Sequence, residues 1–213
     1  VLELGIGRPL VCAALVHETI EDTDVTVEDI RERFGAEVAL LVEGVSKLGK
    51  LKYRGNERHV ESLRKFFVSV AQDVRVVILK LADRWHNLET LSYLPDEKQE
   101  RIALESIMIH APLASRLGMG KLVTTINDLA FPYAYPEEYE RTRKLMVARL
   151  KKAEGSIKKI YRGMLITVSE SLGYTPKVDK RIKGTYSLYK KLERKHWNED
   201  EIFDLVALRV ITN

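Results

Sequence analysis

Apolar residues recur every three to four positions along most of this chain, a spacing that gathers them on one side of an α-helix. The pattern predicts helices at 10–20, 36–48, 57–72, 73–94, 97–117 and 121–131. A longer, basic amphipathic helix is predicted from Pro136 to about Leu172. The chain is therefore expected to be mainly helical over its first four-fifths.

Local signals set some of the boundaries. Thr26 followed by Asp29 is typical of a capping box at a helix start, and Gly35 is a natural stop for the helix that it opens. Residues 49–58 are rich in glycine and basic side chains, which predicts a mobile basic loop. After residue 173 the pattern changes to a strand at 174–178, a helix at 184–195 and a β-branched strand at 205–212. These last elements predict the start of an α/β domain whose further strands lie beyond the chain.

The helix predicted at 73–94 has two different sides. Its core-facing stripe is expected to consist of the apolar residues at three- and four-residue steps, Val74, Val77, Leu81, Trp85 and Leu88. At about 100° per residue, Asp83, Asn87 and Thr90 share the opposite side. This polar trio is either exposed to solvent or forms the wall of a polar pocket.

Composition narrows the class of protein. With 213 residues, 45% hydrophobic and 31% charged, the chain is expected to be globular and to bury a sizeable core. No apolar run reaches the roughly 20 residues of a membrane span, and no signal-peptide pattern is present, although the first residue is Val1 and an upstream segment is expected to be missing. The single Cys12 excludes an internal disulfide and fits a reducing cytoplasm.

The net charge of +4 hides an uneven distribution, because Lys and Arg concentrate at 47–58, 141–162 and 177–195. Such runs are either solvated helix faces or binding surfaces for a polyanion. The polyanion could be a phosphorylated nucleotide or a nucleic acid, and charge alone does not choose between them.

A dense group of potential ligands follows the first apolar stretch. On a helix His17 and Glu21 would lie one turn apart, as would Glu18 and Asp22. An imidazole beside several carboxylates favours a divalent cation with an acid or base nearby. The alternative is an exposed acidic helix end.

These residues, with Lys80-Leu-Ala-Asp83-Arg-Trp-His-Asn87-Leu-Glu-Thr90, resemble the hydrolase half of the RelA/SpoT family. The ordered match continues through 45–48, 52–54, 111–118 and 128–139, so the similarity covers essentially the whole chain. It implies a helical HD-type hydrolase domain at 1–131, a connecting helical region at 132–173, and the start of an α/β nucleotidyltransferase-like synthetase domain at 174–213.

The resemblance also implies the chemistry of the first domain. His17, Glu18 and Asp83 match metal-ligand positions for Mn²⁺, and Glu21 and Asp22 match paired acidic positions that assist water attack. Asn87 and Thr90 match positions that touch the nucleotide. The implied reaction removes pyrophosphate from the 3′ position of guanosine tetra- or pentaphosphate, which leaves GDP or GTP.

Two departures from the family pattern change these expectations. The position of Glu18 is normally Asp, and the longer side chain shifts the carboxylate by about 1.5 Å, a large step against metal–oxygen distances near 2.0–2.2 Å. The family's first metal-binding His would lie upstream of Val1. The chain is therefore expected to bind its metal weakly or not at all, and a catalytically silent hydrolase fold that regulates the synthetase is the alternative.

A second basic group begins at residue 181. Considered alone, it is equally a solvated basic helix or a phosphate site, because free N–H groups at a helix start favour phosphate. It resembles the opening of the family's synthetase domain, which implies that Arg181, Lys183, Ser187 and Lys191 contact ATP and that Asp204 helps to hold Mg²⁺. The complete parent would transfer pyrophosphate from ATP to GDP or GTP, and would contact ribosomes only through C-terminal domains absent here.

Overall fold

The computed structural model describes residues 5, 7–49 and 73–211 of the chain. The chain divides into two compact units, of which the first ends at Ala130 and the second begins at Phe131. The helix predicted at 57–72, and the basic loop predicted at 49–58 beyond its first residue, lie outside the described residues.

Within its described residues, the first unit consists of helices joined by turns and has no strand. Its helices are α1 (Gly7–Val16), α2 (Thr19–Asp22), α3 (Val27–Phe34), α4 (Ala36–Gly49), α5 (Val74–Glu89), α6 (Asp96–Glu105), α7 (Ala111–Arg116) and α8 (Gly120–Ala134), whose last turn enters the second unit. A 3₁₀ turn at Leu91–Tyr93 and a π-helical turn at Ser106–His110 connect some of them. Helices α1, α4 and α5 pack against one another around fully buried residues such as Leu10, Leu41 and Leu81.

Two sequence signals are confirmed in this unit. The Thr26 side chain accepts a hydrogen bond from the Asp29 backbone, and the Asp29 side chain accepts one from the Thr26 backbone, which completes the capping box of α3. Gly35 ends α3 with φ +91°, a conformation that residues with a side chain adopt rarely. The next helix, α4, starts one residue later and packs against α1 and α3.

The predicted stripe on α5 is correct at Val77, Leu81 and Leu88 but wrong at Val74 and Trp85. Val74 is 41% exposed and Trp85 is 36% exposed, whereas Val76 and Leu79 are buried. The reason is that α5 packs against both α1 and α4, so its buried surface is wider than one stripe. The helix also ends at Glu89, five residues earlier than predicted, because the chain tightens into the 3₁₀ turn.

The second unit combines one long helix with a two-stranded sheet. Helix α9 (Pro136–Leu172) ends at Gly173 in the left-handed conformation, as its sequence predicts. Strand β1 (Lys177–Ile182) pairs antiparallel with β2 (Val206–Ile211), and α10 (Thr185–Arg194) lies between them in the chain. The strand predicted at 174–178 starts later because Pro176, which has no backbone N–H, precedes the ladder.

The core of the second unit lies between α9 and α10. Leu188, Leu192 and Ile202 are buried, and Leu145 and Met146 of α9 pack against them. Aromatic rings extend this contact, since Phe131 stacks on Tyr189 with ring centroids 5.0 Å apart. None of the described helices is long and apolar enough to cross a membrane.

Candidate functional site

The ligand-rich segment at residues 17–22 does not form the continuous helix that its spacing predicts. Helix α1 ends at Val16, and His17 and Glu18 form a turn before the short helix α2. At this break, side chains form hydrogen bonds with backbone carbonyl groups of α1. The His17 Nδ1 atom lies 2.9 Å from the Ala14 carbonyl oxygen, and the Thr19 hydroxyl donates to the Val16 carbonyl at 2.6 Å.

This turn sets the orientation of the imidazole. A carbonyl oxygen only accepts hydrogen bonds, so its contact with Nδ1 requires the proton to be on Nδ1. In the neutral ring Nε2 is then the atom with a free lone pair, and backbone contacts of this kind are how proteins commonly orient a metal-binding histidine. Nε2 points to Asp83, whose Oδ1 atom lies 3.6 Å away.

Asp83 is the centre of a cluster of positive and hydrogen-bond-donating groups on α5. The Lys80 ammonium lies 2.8 Å from Oδ2, and the Asn87 amide donates to Oδ1 at 3.0 Å. The side chain of Asp83 is only 6% exposed, and that of Lys80 is 16% exposed. Asp83 and Asn87, which the spacing predicts to share one side of the helix with Thr90, are therefore in direct contact.

The electrostatics of this cluster favour the charged forms. The interaction with the Asp83 carboxylate raises the pKa of His17 above its ordinary value of 6.5, although burial works in the opposite direction. Burial works to raise the pKa of Asp83, but His17 and Lys80 outweigh it and hold that pKa well below its ordinary value. In the metal-free protein, Asp83 is thus an anion compensated by its cationic neighbours.

The residues His17, Glu18 and Asp83 fit a metal ion. Each offers one ligand atom, and these three atoms lie within 4.8 Å of one another. Two ligands that each bind a cation at about 2.1 Å can lie up to about 4.2 Å apart, so the group needs to close by only about half an ångström. Imidazole and carboxylate together suit divalent first-row metals.

The other residues predicted for this site differ in how close they lie to the ligand group. Glu21 and Asp22 are exposed on α2, within one turn of Glu18, and do not belong to the ligand group. Thr90 is exposed at the end of α5, where its hydroxyl lies 3.3 Å from the His86 carbonyl oxygen. Asn87 thus contacts the candidate ligand Asp83, whereas Thr90 lies one turn further along the helix.

Sequence reasoning missed a buried polar layer behind this cluster. Arg84, the neighbour of Asp83, forms a 2.9 Å ion pair with Glu105, and both side chains are nearly enclosed. His110 is buried at the end of the π-helical turn, and its burial and the charge of Arg84 lower its pKa well below 6.5, so the ring is neutral. Turns of π-helix are frequent near functional sites. A basic residue directly after Asp83 was the signal available in the sequence, but its partner lies 21 positions away.

A second polar group lies in the second unit. Lys183 and Lys191 approach the two carboxylate oxygens of Asp204 at 2.9 and 2.7 Å. Hydrogen bonds from Lys191 and then Lys183 lower the pKa of Asp204 to about 2. The Lys183 backbone N–H also donates to the Leu205 carbonyl, which fixes the start of α10 beside the start of β2. The structure thus brings together three of the five residues that the sequence assigns to a nucleotide site.

The other two residues of that set are more open. Arg181 is exposed on β1, and Ser187 is exposed in the first turn of α10. Arg181 precedes Lys183 along the chain, and Ser187 follows it before Lys191.

The chain matches a known protein family and several named relatives. The HD domain family matches residues 1–120. The chain is 41% identical over 211 residues to a guanosine-3′,5′-bis(diphosphate) 3′-pyrophosphohydrolase of Aquifex aeolicus, with 99% of the chain and 30% of the relative covered. It is 40% identical to the bifunctional (p)ppGpp synthase/hydrolase SpoT of Escherichia coli (99% and 30% covered) and 39% identical to a GTP pyrophosphokinase of Myxococcus xanthus (98% and 28%). The resemblance to RelA/SpoT proteins thus extends over nearly the whole chain, which spans about 30% of the length of these relatives.

Proposed function

The chain belongs to the HD domain family, and on this premise we propose that its first unit hydrolyses the 3′-pyrophosphate of guanosine tetra- or pentaphosphate. The observation that carries the proposal is the group formed by His17, Glu18 and Asp83, whose ligand atoms are close enough for one divalent cation. The names of the relatives, among them a pyrophosphohydrolase and a bifunctional synthase/hydrolase, agree with this substrate class. The proposal places the protein in stringent-response alarmone metabolism.

Each residue of the site has a role in this proposal. His17, Glu18 and Asp83 hold the cation, for which Mn²⁺ is proposed. The bound cation would lower the pKa of a water molecule and neutralise phosphate charge. Glu21 and Asp22 accept a proton from the attacking water, and Asn87 and Thr90 contact the nucleotide. Water adds across the bond between the 3′ oxygen and its pyrophosphate, which yields a 3′-hydroxyl and free pyrophosphate.

The test measures pyrophosphate release from guanosine tetraphosphate by the natural full-length protein with manganese. Asp83→Ala should abolish release, because it removes one ligand and the partner that orients His17. Glu21→Gln and Asp22→Asn should lower the turnover number while manganese binding, measured separately, stays unchanged. An Asp83→Ala protein that retains wild-type turnover would contradict the proposed site.

A silent regulatory module is the second candidate, and Glu18 is the observation that favours it. Its side chain is exposed, unlike that of Asp83, and it is longer than the aspartate usual at this position of the family. In this case the wild-type protein releases no pyrophosphate, and Glu18→Asp restores release. Activity in the wild-type protein that Glu18→Asp leaves unchanged would eliminate this candidate.

For the second unit we propose the ATP-binding start of a synthetase. Arg181, Lys183, Ser187 and Lys191 would contact the ATP phosphates, and Asp204 would help to hold Mg²⁺. The Lys183–Asp204–Lys191 cluster supports this proposal because it concentrates two ammonium groups, which phosphate groups favour, and a carboxylate that could bind a cation. Transfer of pyrophosphate from ATP to GDP or GTP in the natural full-length protein, and its loss in Lys183→Ala, would be the test. Substrates of this kind and the single Cys12 support a cytoplasmic location.

A further inference from the structure

Lys80 contacts the candidate metal ligand Asp83 but has no role in the function proposed above. It is one turn before Asp83 on α5, and its ammonium contacts Oδ2 of that carboxylate at 2.8 Å. The opposite oxygen, Oδ1, lies 3.6 Å from His17 and accepts a hydrogen bond from Asn87. The two oxygens of one carboxylate therefore have different partners.

This division limits how Asp83 can bind a cation. The oxygen that lies near the other candidate ligand, His17, is Oδ1, while Oδ2 is held by a side chain that is only 16% exposed. Asp83 can then offer one oxygen, because using both would require the enclosed ammonium to leave. Lys80 thus fixes the rotation of the carboxylate and opposes a second positive charge beside it.

Lys80 has a second effect, which follows from the sum of the charges at the site. A divalent cation bound by Glu18, Asp83 and a neutral His17 has its two charges cancelled by the two carboxylates. Among these three ligands and the ammonium that contacts Asp83, the charge of Lys80 is then the one that remains, since Glu21 and Asp22 lie outside the ligand group. An uncompensated positive charge of this kind attracts an anionic phosphate group, and an ammonium can form a strong charge-assisted hydrogen bond with it.

We infer that Lys80 is a further residue of this site, which restricts Asp83 to one-oxygen coordination and supplies the positive charge that binds a phosphate group next to the cation. The phosphate part of this inference rests on the proposed function. The restriction of Asp83 does not, since it follows from the contacts in the metal-free protein. The two effects of Lys80 have opposite signs, because its charge repels the cation and attracts the phosphate.

The experiment compares Lys80→Gln and Lys80→Met with the wild-type chain of 213 residues. Manganese affinity is measured from the EPR signal of free Mn²⁺. Binding of inorganic phosphate is measured from the ³¹P relaxation that the bound manganese causes. Both variants should bind manganese more tightly and phosphate more weakly, each by about tenfold, as expected for one charge a few ångströms away. Lys158→Met is the matched control, since Lys158 forms an exposed pair with Glu154 on α9, and it should change neither affinity.

Other outcomes overturn the inference. A purely structural role predicts weaker manganese binding in both variants, together with a lower melting temperature. Unchanged phosphate binding in either variant, or a wild-type chain that takes up no manganese, would also contradict it. Lys80→Arg keeps the charge and should retain wild-type phosphate binding, which keeps the test decisive if Lys80→Met fails to fold.

The proposed function is tested separately from this residue. A wild-type protein that binds manganese and phosphate as expected, but releases no pyrophosphate from guanosine tetraphosphate, would refute the hydrolase and leave the assignment of Lys80 intact. Hydrolysis that is unaffected by Lys80→Gln would refute the assignment and leave the hydrolase intact.

Discussion

Replacing Asp83 by Asn should destabilise the metal-free protein, although it removes only a charge. Asn has the shape of Asp, but it leaves the Lys80 ammonium without a counter-ion in a place where that side chain is 16% exposed. Removal of one partner from a buried ion pair costs about 3–5 kcal/mol, and the remaining exposure of Lys80 lowers our expectation to about 2–3 kcal/mol. The His17 contact contributes to the same loss.

Urea unfolding in EDTA measures this difference as a shift of the midpoint at constant m value. Trp85 fluorescence reports on the first unit if both proteins also carry Trp197→Phe. Glu43→Gln is the control, because Glu43 is 41% exposed and its partner Lys47 is 70% exposed, and such pairs contribute less than about 1 kcal/mol. An Asp83→Asn protein as stable as the wild type in EDTA would refute the view that the cations around Asp83 depend on its charge.

The pH dependence of the same difference follows from two pKa shifts of opposite direction. The pKa of Asp83 is lowered on folding, so its contribution is present above its unfolded value of about 3.9 and is lost as the pH falls through the lowered value. The pKa of His17 is raised, so its contribution is complete below 6.5 and is lost as the pH rises through the raised value. The free energy of unfolding of the wild type should therefore exceed that of Asp83→Asn by the largest amount between about pH 4 and 6.5. A difference that grows steadily up to pH 9 would contradict the assignment.

Three further predictions concern the metal, a helix contact and a cap. Manganese affinity should rise with pH through the raised pKa of His17, because the ligand must lose its proton, and calorimetry in two buffers should detect the released proton; a flat profile would exclude His17 as a ligand. Gly44→Ala should lower the free energy of unfolding by about 1–3 kcal/mol, since an added Cβ would lie 2.8 Å from a methyl carbon of Val76. Gly155→Ala is its control on an open helix face and should raise that free energy by about 0.5–1 kcal/mol, so equal effects of the two changes would contradict the packing argument. Thr26→Ala should cost about 1 kcal/mol in urea unfolding by removing the cap of α3, and an unchanged midpoint would argue against it.

The parts of the fold that the sequence predicted are those that local chemistry controls. The capping box of α3, the glycine stops and the full span of α9 depend on residues within a turn of each boundary, so they can be identified without tertiary contacts. The errors occurred where packing or side-chain competition decides. Trp85 has the spacing of a core residue, but it is 36% exposed and donates to Glu89, because α5 is covered by two neighbouring helices on other sides.

The candidate site shows the same division. The pairing of Asp83 with Asn87 follows from helical spacing and could be predicted. The helical spacing assumed for residues 17–22 could not hold, because the His17 and Thr19 side chains bond to the carbonyl groups of α1 and end that helix. The contact between His17 and Asp83 joins residues 66 positions apart, so spacing gave no access to it, and only the resemblance to a known family linked them.

The long helix α9 has a consequence for how the second unit moves. Its first half is anchored, since Thr142 is buried and Leu145 packs on α10, whereas Ile160 and Ile166 further along are 57% and 59% exposed. Helical stability in proteins comes mostly from tertiary packing, so a segment held mainly by its own hydrogen bonds is only marginally stable in water. Amide protons should therefore exchange with solvent slowly near Thr142 and progressively faster toward Leu172. One continuous helix would thus combine a fixed stem at its start with a second half whose helical hydrogen bonds open more often.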